Sequence, residues 1–347
     1  MIRVGIVGIG FMGLIHYLSY QSVPGVRVAA ICSTSPKRRS GDWRGIQGNF
    51  GPAGSKVDLL KIKVYSALDE MVRDPGLDLI DVTLPPALHA DASIKAMQAG
   101  KDVFCEKPMA LDLRECRRMQ DVSSSTGQRL FIGHTLPFVP EYAWALEAAR
   151  SGKYGKLLGG SFKRVISDPN WLKQYWSAEH IGGPMLDLHV HDAHFIRLMF
   201  GMPNGLVTQG RMRNEVAEYW NTLFDYGESG PRVHAMSGTL PQQGRPFEHG
   251  FEIHLEKATL VFDFAVIGKE GKYLCPLTLI DDRGKVHVVK LGSADPMQAF
   301  QAEIREVVSS SRKQKESTLL NSRLASDAIH LCRRQIESLN KGRAIRI

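Results

Sequence analysis

The segment DLHVHDAH, residues 187–194, sets three histidines and two aspartates within eight positions, directly after Gly182-Gly183 and ahead of the apolar run FIRLMFG. Three chemistries compete for it. His189, His191 and His194 with Asp192 offer ligands for a zinc ion. Asp187 and His191 stand four apart, so on a helix they share one face. An imidazole with an ordinary pKa of about 6.5 beside a carboxylate then suits proton transfer at neutral pH. The plain alternative is a helix in which His189 and His194 are satisfied structural histidines lining the site. Spacing weighs against a metal, because His189 and His191 point to different sides of a helix and only the 187/191 and 191/194 pairs share a face. Zinc survives only if the segment enters as a loop and turns helical midway; the expectation is no metal.

A second candidate lies far upstream. Lys107, in the triplet Glu106-Lys107-Pro108, follows the apolar run DVFC, and the proline biases it towards an extended conformation. A lysine at a strand end is often only a surface charge, yet such a cation can stabilise negative charge developing on a substrate oxygen.

These groups need a scaffold, and the first third of the chain supplies one. IRVGIVGIGFMG begins with an apolar β-type run and sets Gly8, Gly10 and Gly13 at G-x-G-x-x-G spacing before the helix-compatible LIHYLSYQSV. In such a turn the first glycine bends tightly, the second lets a pyrophosphate reach the backbone, and the third packs helix on strand, with Phe11 and Met12 opening the helix at the phosphates. A second strand, VRVAAIC, follows at β-α-β spacing. Where an acid would hold the 2'-hydroxyl of NAD, the chain has Ser33, then Thr34, Lys37, Arg38 and Arg39. A hydroxyl and clustered cations suit a 2'-phosphate that a carboxylate would repel, so NADP is favoured over NAD. Residues 41–58 are long and glycine-rich for such a connection and read as a surface insertion near the adenosine end. Beyond them, LDLIDVTLP and KDVFCEKP read as buried parallel strands and HADASIKAMQAG as a helix. In doubly wound sheets ligands meet strand C-terminal ends, which puts Pro85, His89 and the triplet Glu106-Lys107-Pro108 on the ligand-facing edge, with Leu84 a further cofactor-binding candidate.

The bulk composition fits this architecture. The chain has 347 residues, 43% hydrophobic and 23% charged, a length that suits two domains. The net charge of +8 is dispersed and carries no nucleic-acid-binding motif. The apolar N-terminus is broken by four glycines and reads as a strand rather than a leader, and no stretch approaches the roughly 18 apolar residues of a spanning helix. The five cysteines form no C-x-x-C pair. A soluble cytoplasmic protein, with neither nucleic acid nor membrane as partner, is expected.

The motifs GIGFMG (8–13), LPPALH (84–89), AGKDVFCEKPMAL (99–111), GHTLPFVPEY (133–142) and GGPMLDLHVHDAHFIRLMFG (182–201) together resemble the Gfo/Idh/MocA oxidoreductases, the family of glucose-fructose oxidoreductase and inositol dehydrogenase. The resemblance spans nearly the whole chain. It implies an α/β fold: a Rossmann domain with a doubly wound parallel sheet, expected at 1–135, and a substrate-binding and oligomerisation α/β domain at 136–347. The second has a large, mainly antiparallel, open-faced sheet used for subunit contacts in a homodimer or homotetramer. The strand-like runs LLGGSFKRVIS, GLVTQGRMR, YWNTLFDY, RVHAMSGTL, FEIHLEKATLVFDF, PLTLIDD and KVHVVKL fit that sheet. Two late helices follow, and in this family the last commonly packs back on the first domain.

By the resemblance, Lys107 is the catalytic lysine, and Asp187 and His191 fall on the pair of the inositol-dehydrogenase branch. Hydride would pass between the nicotinamide and a secondary alcohol or ketone of a sugar, polyol or related small molecule. The substrate-facing candidates are His134, His189 and His194, together with Trp171, Lys173, Tyr175 and Trp176 of the segment SDPNWLKQYWSAEHIGG. The chain departs from the family at Leu84, Pro86, Pro137, His189 and His194, where threonine, asparagine, arginine, glycine and an acid are frequent. Those departures bear on the substrate. The competing functions are a dinucleotide-binding regulatory protein without turnover, an enzyme that retains its cofactor for glycoside cleavage or aldose exchange, and a metal-dependent hydrolase.

Overall fold

The computed structural model describes residues 1–48, 50–170, 172, 174–292 and 295–347. They fall into two compact units, Met1–Val139 with Ser293–Ser326, and Pro140–Gly292 with Asp327–Ile347. In the first, strands β1 (Ile2–Val7), β2 (Val26–Cys32), β3 (Lys63–Tyr65), β4 (Leu79–Val82), β5 (Asp102–Glu106) and β6 (Leu130–Gly133) form a parallel sheet in the order β3-β2-β1-β4-β5-β6. The order reverses beside β1, where Val7 pairs with both Cys32 and Val82, and such a switch point opens a crevice at the strand C-terminal ends. Strands β4, β5 and β6 are buried at every residue, because helices cover both faces of a parallel sheet.

Between and after these strands run helices α1 (Phe11–Tyr20), α2 (Pro36–Arg39), α3 (Leu68–Val72), α4 (His89–Gln98) and α5 (Leu113–Thr126). Capping sets their limits, as at α5, where the Asp112 side chain accepts the Glu115 N–H and Gly127 closes the other end in the left-handed region. The described residues of 41–58 are mostly exposed, as a surface insertion should be, but a core residue pins the segment. Trp43 is fully buried, its Nε1 donating to the Arg38 carbonyl at 2.9 Å and its ring set edge-on to Tyr17. Burying an indole stabilises by on the order of 4 kcal/mol. The glycines that suggested a loose loop are punctuation around a core residue.

The second unit opens with α6 (Pro140–Arg150), β7 (Leu157–Ser167), α7 (Gly183–Asp187) and α8 (Val190–Phe200). Strands β8 (Gly205–Arg213), β9 (Val216–Asp225), β10 (Arg232–Leu240), β11 (Phe247–Leu255), β12 (Ala258–Ile267), β13 (Glu270–Asp281) and β14 (Val286–Val288) follow. With the terminal β15 (Ile345–Arg346) they make a nine-stranded sheet, β14-β13-β12-β11-β7-β10-β9-β8-β15, antiparallel except for β7 beside β10. The run FEIHLEKATLVFDF is two strands, since Leu255 pairs with Ala258 across a turn at Glu256-Lys257. The charged pair Glu256-Lys257, two polar residues in succession, is the break in alternation that marks the turn.

Two helices, α9 (Pro296–Arg312) and α10 (Ser322–Lys341), precede β15. The helix that joins the first unit is α9, and not the last one. Its Phe300, Ile304, Val307 and Val308 form one apolar stripe, three of them in the core cluster with β1 and β2. Ser311 also donates to Asp102 Oδ2 at 2.6 Å and Arg312 to the Gly25 carbonyl at 2.9 Å. Most of α10 belongs to the second unit, where Ser338 accepts the Thr208 N–H and Gln335 accepts the Thr222 hydroxyl. Among the described residues, no helix is long and apolar enough to cross a membrane.

Candidate functional site

The three fingerprint glycines answer to different neighbours. Gly8 has φ +98°, and a Cβ there would lie 2.7 Å from the Thr83 carbonyl oxygen. A Cβ on Gly13 would lie 2.3 Å from the Gly8 carbonyl oxygen. One on Gly10 would meet no described atom within 4 Å. The protein's own packing therefore does not require Gly10; its missing side chain leaves room at the start of α1. That helix has no side-chain cap and no acid in its first turn, so the amides at Phe11, Met12 and Gly13 are left for an anion. A dinucleotide pyrophosphate fits this cradle. Thr83 holds the loop by donating towards the Val7 and Gly8 carbonyls at 3.1 and 2.7 Å. Sequence reasoning missed Thr83, although a hydroxyl directly after the strand LIDV was the available signal.

Past the end of β2, Ser33 leads into α2, and the cations there divide. Arg39 donates to the carbonyls of Ser33 and Thr34 at 2.8 and 2.9 Å, and Arg38 to those of Asp42 and Arg44, both at 3.3 Å. Lys37 is exposed and, among the described residues, pairs with Asp42 at a loose 3.8 Å. Nη1 of Arg38 thus braces the following loop, and Lys37 keeps its ammonium at the surface.

The strand ends carry the next group. Leu84 is half-buried and Pro85 exposed, whereas His89 is fully buried with its ring nitrogens 2.8 and 2.7 Å from the carbonyls of Pro108 and Leu84. His89 therefore braces two loops, which corrects the expectation that it touches cofactor. Glu106 is likewise turned inward: Oε1 accepts from His16 and Oε2 from the Lys107 N–H. His134, just past β6, is buried. In residues 101–110, Lys107 alone is not buried, and it joins Pro108 through a cis peptide bond.

The histidine segment of the second unit shows the same selectivity. From Gly182 to Ile196, Asp187 and His191 are the two residues that are not buried. They lie on separate helices, because the His189 N–H reaches the Pro184 carbonyl five residues back and a wide turn separates α7 from α8. A continuous helix, on which the four-residue spacing was argued, is thus corrected, and this kind of local widening recurs at functional sites. His189 is fully buried, Nδ1 2.8 Å from Ser237 Oγ and the ring edge-on to Trp220, and burial pulls its pKa down to about 4. His194 is fully buried too. Both are interior histidines, not surface contacts for a substrate.

Asp192, the remaining ligand of a metal reading, is engaged by Arg164: Nε to Oδ2 is 2.6 Å and Nη2 to Oδ1 3.1 Å. Tyr175 is buried beside Asp187; burial first, then that carboxylate, push its hydroxyl well above its ordinary pKa. It packs edge-on to Trp176, whose Nε1 donates to Asp168 at 3.1 Å while Arg213 covers its ring at 4.2 Å. Trp171 and Lys173 lie outside the described residues.

Residues 2–134 match an oxidoreductase family with an NAD-binding Rossmann fold, GFO/IDH/MocA, and residues 142–261 match that family's C-terminal domain. An uncharacterized oxidoreductase of Rhizobium meliloti is 30% identical over 203 residues, 58% of this chain and 56% of that protein. The scyllo-inositol 2-dehydrogenase (NAD(+)) of Bacillus subtilis is 26% identical over 313 residues, 88% of this chain and 82% of that protein. The chain spans little more than half the length of several of the curated relatives it matches. Among solved structures, levoglucosan dehydrogenase in complex with NADH superposes with a TM-score of 0.83 over 100% of this chain and 99% of that one. At 19% identity, that likeness speaks for the fold.

Proposed function

The chain belongs to the GFO/IDH/MocA oxidoreductase family, and on that premise we propose that it is a dehydrogenase or reductase acting on a secondary alcohol or ketone of a sugar, polyol or related compound. Three side chains carry this reading: Lys107, Asp187 and His191 are the residues left accessible in otherwise buried segments. The alignment with scyllo-inositol 2-dehydrogenase over 88% of this chain supports the polyol class.

The dinucleotide is held by the glycine loop, the start of α1 and the turn at Ser33. When bound, its nicotinamide takes or gives the hydride. His191 accepts the proton of the substrate hydroxyl and returns it in the reverse direction. Lys107 holds its ammonium against the developing alkoxide. Asp187 orients the hydroxyl or the imidazole. NADP is the preferred dinucleotide, with Lys37 as the cation for its 2'-phosphate and no carboxylate at Ser33 to repel it. Assembly is a homodimer or homotetramer through the large sheet, whose strands leave Leu223, Leu274, Val286 and Val288 exposed.

The test is to purify the protein without added dinucleotide, titrate it with NADPH and NADH, and follow NADP or NAD reduction with a panel of sugars and polyols. Tighter NADPH binding and turnover of a polyhydroxy substrate are expected. Failure to bind either dinucleotide overturns the proposal.

A further inference from the structure

His16 follows the glycine fingerprint by three residues and is fully buried. Its two ring nitrogens each face a carboxylate: Nδ1 lies 2.9 Å from Asp81 Oδ2, and Nε2 lies 2.9 Å from Glu106 Oε1. The carboxylates come from different strands, Asp81 from β4 and Glu106 from the end of β5. The ring is held flat against Phe104, with centroids 5.1 Å apart and planes 8° from parallel. The other oxygen of Glu106, Oε2, accepts the N–H of Lys107 at 3.1 Å.

We propose that His16 is a positioning residue for Lys107: by bonding Asp81 and Glu106 at once it fixes the Glu106 carboxylate, whose second oxygen holds the backbone from which Lys107 leaves the sheet. This rests on the reading of Lys107 as the group that meets substrate.

The chemistry requires a charged ring. A neutral imidazole carries one N–H and would aim a lone pair at the second carboxylate, so both nitrogens are protonated. Burial opposes that charge, but Asp81 and Glu106 outweigh it and hold the His16 pKa well above its ordinary value. The other titratable groups at this ring are Tyr20 on α1 and Glu303 on α9, and both stay neutral. Burial first, then Asp81 for Tyr20 and Glu106 for Glu303, raise them far above their usual ranges. His16 is therefore the group that joins two buried carboxyl side chains on adjacent strands through its two ring nitrogens. Without it the Glu106 carboxylate loses the partner that fixes it and is free to rotate, and the Lys107 amide loses its acceptor.

Two near-isosteric variants separate positioning from mere structure. In His16→Asn the amide nitrogen falls near the place of Nδ1 and keeps a donor for Asp81; in His16→Gln it falls near Nε2 and keeps the donor for Glu106. Positioning predicts a drop in kcat of about 100-fold in His16→Asn, the cost of a small misplacement near the chemistry, with dinucleotide Kd and KM held within about threefold. His16→Gln stays within about tenfold of wild type in kcat. Equal losses in the two variants, or a loss that follows Kd or thermal stability instead of the retained donor, overturn the proposal. The Lys107 backbone amide resonance is read in the same samples and needs no turnover: it should move in His16→Asn and stay near the wild-type position in His16→Gln. Should the wild-type protein turn over no polyol, the functional reading fails, while this resonance still decides whether His16 holds Lys107.

Discussion

Arg164 and Asp192 meet through two bonds, Nε to Oδ2 at 2.6 Å and Nη2 to Oδ1 at 3.1 Å, with both side chains almost wholly out of water. The pair ties α8 to β7 one residue past His191. Beneath it Tyr142 bonds His249 at 3.1 Å, and burial, with the Arg164 charge, keeps that histidine neutral. An isolated charge left there would be far costlier than the pair is favourable. Arg164→Met should therefore destabilise by about 3–5 kcal/mol, whereas Arg164→Met with Asp192→Leu should regain much of it. Urea unfolding checks both, and a single variant as stable as wild type would contradict the account of α8 anchoring.

The glycine loop permits a sharper separation of folding from binding. Gly13→Ala forces a Cβ onto the Gly8 carbonyl and should cost about 1–3 kcal/mol. Gly10→Ala meets open space, so its melting temperature should stay near wild type while dinucleotide affinity falls by at least about tenfold. Calorimetric binding beside thermal unfolding reads both quantities. Undiminished binding by Gly10→Ala would mean the phosphates lie elsewhere.

Lys107→Ala should abolish turnover and leave dinucleotide affinity within about tenfold, or 1.4 kcal/mol. His191→Asn should lower kcat by about 100-fold or more, the usual range for losing a general base, and flatten the acid limb of its pH profile. Steady-state kinetics with direct binding measurements test the pair. Wild-type turnover in Lys107→Ala would remove the proposed mechanism.

On the proposed reading, dinucleotide preference turns on Lys37 and Ser33. Lys37→Ala should weaken NADPH by about tenfold and leave NADH unchanged, because one charge-assisted contact is lost; Ser33→Asp should reverse the preference. Parallel titrations with the two reduced dinucleotides read the ratio. Equal effects on both would show that the Ser33 turn does not face a 2'-phosphate.

Buried histidines make stability depend on pH with opposite signs. His189 has its pKa lowered to about 4, so between about 6.5 and 4 the unfolded chain binds a proton that the folded one does not. Stability should therefore fall as pH drops through that window, by on the order of 3 kcal/mol from this residue. His16, with a raised pKa, contributes stability that is fully present below about 6.5 and lost as pH rises through its folded value. Denaturation of wild type and His189→Gln at pH 7 and pH 4.5 checks the first; an unchanged difference between the two pH values would exclude it.

By itself the sequence determined the scaffold. The periodicity of β7, β8 and β10, the buried runs of β4 and β5 and the glycine fingerprint are local patterns, each set by residues within about ten positions, so they were legible without neighbours. Motif singled out Lys107, Asp187 and His191, and the fold leaves each of them less buried than its neighbours. What only the tertiary structure decided was the direction in which side chains turn. His89, Glu106, His189, His194 and Asp192 have the residue types of a site, and the fold draws all five inward to carbonyls, His16, Ser237, Arg164 or the core. Those partners lie as far as 90 residues away in the chain, as with His16 and Glu106, and a buried polar group is decided by whoever meets it across that distance. The joining of α9 to the first unit is of the same kind. An apolar stripe states that a helix must be covered, and only the fold states by what.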